Sequence, residues 1–164
     1  KMASLAWSSV GLEPVMVEGD DGNPRLVADI KVHGVWNQER TAYFDTRVVN
    51  PDAPSYGSLD WNTIAQTAAN SKHRKYDAAA EDLRGSFTPL VVACDGSLHK
   101  EYDMFLKRVA EVLSEKWAKP LSQVTCWVRV KTQIAVVRAV SMRLRGCRRK
   151  VRCLGLEDGA LMPL

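Results

Sequence analysis

The chain has 164 residues, 46% of them apolar and 26% charged, which suits one globular domain with a sizeable core and leaves too little for two. No run approaches the roughly 18 apolar residues of a membrane span, and the start Lys1-Met2-Ala3-Ser4 lacks the layout of a signal peptide; an intracellular chain without a membrane partner, excised from something longer, is expected. The net charge of +4 is uneven: Lys116 to Leu156 holds 11 of the 23 Lys and Arg and none of the 19 Asp and Glu, as expected of a polyanion-facing end on an acidic, metal-binding body.

Residues 1–24 offer a short apolar start and an acidic turn, and read as an N-terminal segment ahead of a domain over 25–146, with 147–164 a basic tail. Two β-rich runs, Arg25–Val32 and Thr41–Val49, flank the polar Asn37-Gln38-Glu39-Arg40 and predict a hairpin. Asn50-Pro51-Asp52-Ala53-Pro54 ends the second run. Asp60 is placed to cap a helix carrying Ile64, Ala68 and Lys72–Tyr76 and ending before Gly85. Phe87–Cys94 reads as a third strand. Tyr102, Phe105, Leu106, Val109, Ala110, Leu113 and Trp117 then form one face of an amphipathic helix. After Pro120 a second helix runs from Ser122 to about Gly146, and its Lys131, Arg138 and Arg145 recur every seven residues on one stripe. With Arg148 and Arg149 beyond them, these are the candidate phosphate contacts. The order predicts an α/β or α+β fold, helices packed on a mixed sheet. Cys94, Cys126, Cys147 and Cys153 form no CxxC pair and are expected to be buried free thiols.

Asp29 and Asp45 are lone acids inside the two β-rich runs, where acids are disfavoured. A hairpin centred near Gln38 sets Lys31 opposite Asp45 and Arg47 opposite Asp29, with the two carboxylates diagonal neighbours some 7–8 Å apart. Two such carboxylates suit a hard divalent cation, with water and a phosphate completing its shell. The alternative is a surface laced with Asp–Arg and Asp–Lys pairs, and a one-residue slip would reverse the faces. His33, His73 and His99 fit no zinc or nucleophile pattern, and GxxxxGK[ST], HExxH and GxSxG motifs are absent.

Asp29, fifteen intervening residues and Asp45-Thr46-Arg47 resemble the D…(D/E)-x-K core of PD-(D/E)XK nucleases. Ala28 stands where proline is expected, and Arg47 where the lysine is; arginine stays protonated and cannot act as a base, though it can stabilise transition-state charge. Lys72-His73-Arg74-Lys75-Tyr76 is similar to the K-x-x-K-Y signature of the restriction-like endonuclease domain of site-specific non-LTR retrotransposons, in which the lysine stands on this helix. The stretches Ala28–Trp36 and Phe44–Pro51, with Phe87–Val91 and Trp127-Val128-Arg129, also resemble a domain of eukaryotic open reading frames near reverse transcriptases.

The resemblance implies a restriction-endonuclease-like core whose Asp29 and Asp45 hold Mg²⁺ (or Mn²⁺), with Glu13 as a third acid and Glu18 or Asp20 as alternatives to it. Arg47, Lys72, Lys75 and Tyr76 are the implied catalytic set. It implies DNA as substrate, a reverse transcriptase in the same polypeptide and a nuclear location. Two other functions stay open: a nucleic-acid-binding module of the same fold without hydrolysis, and a protein-interaction domain of a larger polyprotein.

Overall fold

The computed structural model describes residues 2–19 and 24–147. In chain order these form α1 (Met2–Ala6), β1 (Val10–Leu12), β2 (Val15–Val17), β3 (Leu26–Val27), β4 (Ile30–His33), β5 (Thr41–Val49), α2 (Trp61–Asp82), β6 (Ser86–Ala93), α3 (Lys100–Trp117) and α4 (Leu121–Cys147). The fold is of the mixed α/β kind expected. A four-stranded sheet runs β1-β4-β5-β6, and β2 and β3 form a separate two-stranded ladder. β1, β4 and β5 are antiparallel neighbours, whereas β6 lies parallel to β5. A parallel neighbour needs a crossover, and α2 supplies it.

Alternation along β5 assigns the layers. Ala42 and Phe44 enter a core with Val32, Leu90, Phe105, Leu106, Val109, Leu113 and Val128, so one face of the sheet is covered by α3, on which α4 packs. Tyr43 and Val49 point the other way, into two smaller clusters built against α2. Asp60 caps α2 as expected, its carboxylate accepting from the amides of Asn62 and Thr63. Pro89 sits inside β6 because β6 is an edge strand: the Val91 carbonyl and Ala93 amide bond outward to His99 and Ser97, and alternation turns the position of Pro89 the same way, where a missing N–H breaks no ladder.

The structure corrects the hairpin register. Gly34, at φ 81, donates to the Arg40 carbonyl at 3.1 Å, which centres the hairpin one residue earlier, on Asn37. Lys31 therefore lies opposite Tyr43 and not Asp45. Arg47 finds its cross-strand partner in Val91 of β6 and not in Asp29, because the same slide carries it past Asp29 towards position 27. The slide covers two positions along the partner strand, so the faces are preserved. Residues 2–17 are part of the same body: β1 pairs with β4, β2 with β3, and the Trp7 ring stacks on Phe105 at 6.2 Å. The cysteines depart from the expected burial, since Cys126 is exposed and Cys94 half-buried; Cys153 and the Cys147 side chain lie outside what is described. Among the described residues no helix is long and apolar enough to cross a membrane.

Phe44 is fully buried and its ring lies 4.5 Å from that of Phe105. Phe44→Ala is expected to destabilise the fold by about 3–5 kcal/mol, the usual cost of a large cavity in a packed core, read from the shift in a urea unfolding midpoint.

Candidate active site

The buried stripe of α2 is Ile64, Ala65, Ala68, Ala69, Tyr76, Ala79 and Ala80. Lys72 falls within that stripe, three residues after Ala69 and four before Tyr76, so helical geometry aims a cation at the sheet. The small alanines let α2 lie close to β5 and β6. The apolar packing divides there: Tyr43, Tyr76, Ala79, Ala80 and Phe87 form one cluster, and Val49, Ile64, Ala65, Ala68 and Val91 the other. Asp45, between Tyr43 and Val49 on β5, meets Lys72 in the gap.

Asp45 is 6% exposed. Its Oδ1 accepts from the Tyr76 hydroxyl at 2.8 Å, and the same hydroxyl lies 3.0 Å from the Val27 carbonyl. Its Oδ2 forms an ion pair with the Lys72 ammonium but receives no well-directed hydrogen bond. Burial, then the hydrogen bond to Asp45 and its charge, and finally the charge of Asp29 all push the Tyr76 hydroxyl pKa far up, so Tyr76 acts as a donor and not as a base.

Asp29 is exposed, one peptide away from this pair. Its Oδ2 accepts from the Thr46 amide at 2.6 Å, its amide donates to the Phe44 carbonyl at 2.9 Å, and its carbonyl accepts from the Glu13 amide at 2.9 Å. The donor set therefore holds one buried carboxylate whose Oδ2 already lies against the Lys72 ammonium, and a second, solvent-facing carboxylate. Two carboxylates are the ligand type that Mg²⁺ or Mn²⁺ takes, with water in the remaining positions, and a cation at Asp45 Oδ2 would have to displace the Lys72 ammonium. Glu13, at φ 47, is brought beside Asp29 by its backbone, yet among the described residues no three His, Cys, Asp or Glu side chains converge as a metal-binding group.

The remaining candidates separate. Lys75 is exposed and its ammonium sits 5.0 Å from the Tyr76 ring centroid, against 5.6 Å for Lys72; both are within cation–π range, but Lys72 is the one that reaches Asp45. Arg47 is half-buried on β5, two residues beyond Asp45. Lys131, Arg138 and Arg145 are exposed on α4, in the layer across the sheet from α2, and are not brought to this site. Arg148 and Arg149 lie outside the described residues.

A polar cluster that periodicity did not reveal lies on the flank of α2. His73 Nδ1 is 2.9 Å from Asp77 and Nε2 is 3.1 Å from Glu101 at the start of α3, with its ring edge-on to Phe87. His99 is 5% exposed, its Nδ1 lacks a hydrogen bond, and its Nε2 lies 3.4 Å from Gln66 Oε1. The i,i+4 spacing of His73 and Asp77 was available as a signal; Glu101, 28 residues on, joins them only through the fold.

Burial lowers the His73 pKa, but the hydrogen bonds and charges of Asp77 and Glu101 outweigh it and hold the imidazole above its usual value. A folded-state pKa above the unfolded one stabilises fully below about pH 6.5, and that contribution is lost as pH rises through the raised folded-state value. The difference in unfolding midpoint between the parent and His73→Gln should therefore shrink from pH 6 towards pH 8.5, as measured in urea at each pH. No family model matches this sequence, and no curated protein matches it at a significant level.

Proposed function

We propose that this domain is a metal-dependent endonuclease of the PD-(D/E)XK kind that hydrolyses phosphodiester bonds in DNA. The observation that carries the reading is Lys72: a lysine on the buried stripe of α2 paired with a buried strand carboxylate. A mixed sheet flanked by helices, with a helix-borne K-x-x-K-Y directed at the second acid, is the arrangement that the resemblance implies.

Asp45 and Asp29 are the residues to hold Mg²⁺ or Mn²⁺, which when bound lowers the pKa of water and offsets charge on the scissile phosphate. Tyr76 fixes the Asp45 carboxylate through Oδ1 and the Thr46 amide fixes Asp29, so both acids are oriented before substrate arrives. Lys72 lies against the buried Asp45 carboxylate and offers its ammonium to a phosphate oxygen or to the attacking water. Arg47, on the same strand face as Asp45, is the second phosphate clamp. In a retroelement polypeptide such a nick supplies the 3′ end from which a reverse transcriptase starts.

A second reading, the same fold binding nucleic acid without cutting it, is favoured by two observations: Lys72 already occupies the carboxylate that a cation needs, and no third ligand stands beside the two acids among the described residues. Incubation with supercoiled plasmid and Mg²⁺ or Mn²⁺ separates the two. Nicking by the parent, lowered at least about 100-fold in Asp45→Asn and in Lys72→Met, is the expected result, with Lys75→Met losing less than about tenfold. Asp45→Asn nicking as well as the parent would show that the active site is elsewhere, and binding without nicking would favour the second reading.

A further inference from the structure

We propose that the cleft lined by Trp117 and Trp127, at the turn joining α3 to α4, seats one unpaired base of a single-stranded nucleic acid whose backbone continues along Lys131, Arg138 and Arg145. The proposal does not rest on the cleavage chemistry.

The turn makes the cleft. Ala118 adopts a left-handed conformation at φ 51 and ends α3, and Pro120 precedes the sharp start of α4. The reversal leaves both indoles half-buried, edge to face with centroids 5.2 Å apart. They line a cavity of about 610 Å³ with Lys119, Gln123 and Val124, a size suited to a small planar ligand. Buried Val124 closes its floor. Exposed Gln123 adds an amide able to donate to and accept from a base edge.

Charge and helical phase extend the cleft into a track. Lys131 Nζ lies 5.7 Å from the Trp127 ring centroid. Four residues separate Trp127 from Lys131, seven separate Lys131 from Arg138 and seven more lead to Arg145, which places all four within about 40° of one another around the axis, with about 10 Å between successive cations. From Lys116 to Cys147 there are seven Lys and Arg and no Asp or Glu. One of these cations, Arg129, is neutralised by Asp103 at 3.0 Å, and it lies off the track. Aromatic faces next to a cationic groove bind single strands through stacking and phosphate contacts without reading sequence. A paired duplex keeps its bases out of such a cleft. The track lies across the sheet from Asp45 and Lys72, so the nucleotides held here are not the ones presented to that site.

The side of α4 next to this track, opposite the buried face of the helix, offers a rival occupant. Val130, Ile134, Val137 and Leu144 are 51%, 42%, 63% and 64% exposed and form an apolar stripe of the kind that takes a partner helix.

The test is fluorescence anisotropy of the full chain with labelled oligo(dT), oligo(U) and a blunt duplex, each of about 12 nucleotides or base pairs. It is run in chelator, so that binding is read apart from cleavage and a failure to nick has no bearing on it. Both single strands are expected to bind more tightly than the duplex, and a preference between them identifies DNA or RNA as the source of the strand. Trp127→Leu is expected to weaken binding at least about fivefold, the lower end for losing one base–aromatic stack. Replacing Lys131, Arg138 and Arg145 together by Gln should lower the slope of log affinity against log salt by about 2 between about 50 and 200 mM. If circular dichroism shows Trp127→Leu unfolded, the exposed pair Lys119→Gln/Lys131→Gln replaces it, with an expected fall in slope of about 1. The proposal is overturned if the duplex binds as tightly as the single strands and these variants bind like the parent. It is equally overturned if no oligonucleotide binds while the chain self-associates through the Val130–Leu144 stripe.

Discussion

On the α2 face of the sheet the buried Asp45 carboxylate lies against the Lys72 ammonium, and the packing of that face follows from this contact. A carboxylate taken out of water without a partner costs several kcal/mol or gives up its charge. The ion pair and the Tyr76 hydroxyl meet that demand from one helix, using two positions a turn apart. This fixes both the rotation of α2 about its axis and its position along β5. The alanines at 65, 68, 69, 79 and 80 then close the apolar packing on either side. A buried ion pair adds little stability over a well-packed hydrophobic pair of similar volume, so its retention here directs attention to chemistry. That is why the functional reading rests on this pair and not on the larger core across the sheet.

Much of this was legible from residue types and spacing. The apolar period of three and four over Tyr102–Trp117 marks α3, the Asp60 cap marks the start of α2, and the lone acid at position 45 interrupts a β-rich run. What stayed hidden has physical causes. The N-terminal strands are three residues long, too short for alternation to register. The hairpin register turned on the left-handed Gly34, a matter of two positions. Lys72 and Lys75 both belong to the K-x-x-K-Y pattern, and only the phase of α2 against β5 distinguishes the cation that reaches Asp45 from the one that stays in solvent. The His73–Glu101 contact joins residues whose sequence positions carry no common signal.

The two faces of the sheet divide the chemistry. The α2 face carries the buried acid–lysine pair, the exposed Asp29 and the histidine cluster. The α3 face carries the main hydrophobic core, and α4 outside it bears the cations. Charge asymmetry along the sequence suggests a polyanion-facing end attached to an acidic body. The fold separates the basic helix from the acids by the thickness of a sheet and a helix layer, so α4 and the acid pair require different segments of nucleic acid, or different molecules, to act together. α4 itself is apolar on two opposed sides, with Val124, Val128 and Val136 buried against the body and Val130, Ile134 and Val137 exposed, which is why no amphipathic pattern stands out from its sequence.

The most direct measurement is a double-mutant cycle between Asp45→Asn and Lys72→Met, with each unfolding free energy taken from urea denaturation. The account predicts strong coupling: Lys72→Met leaves the buried Asp45 uncompensated and Asp45→Asn leaves the half-buried Lys72 without its counter-charge, the double change costs less than the sum of the two, and the interaction energy is at least about 1 kcal/mol. Additivity within about 0.3 kcal/mol would mean that Lys72 and Asp45 do not act as a pair, and the candidate active site would lose its central contact.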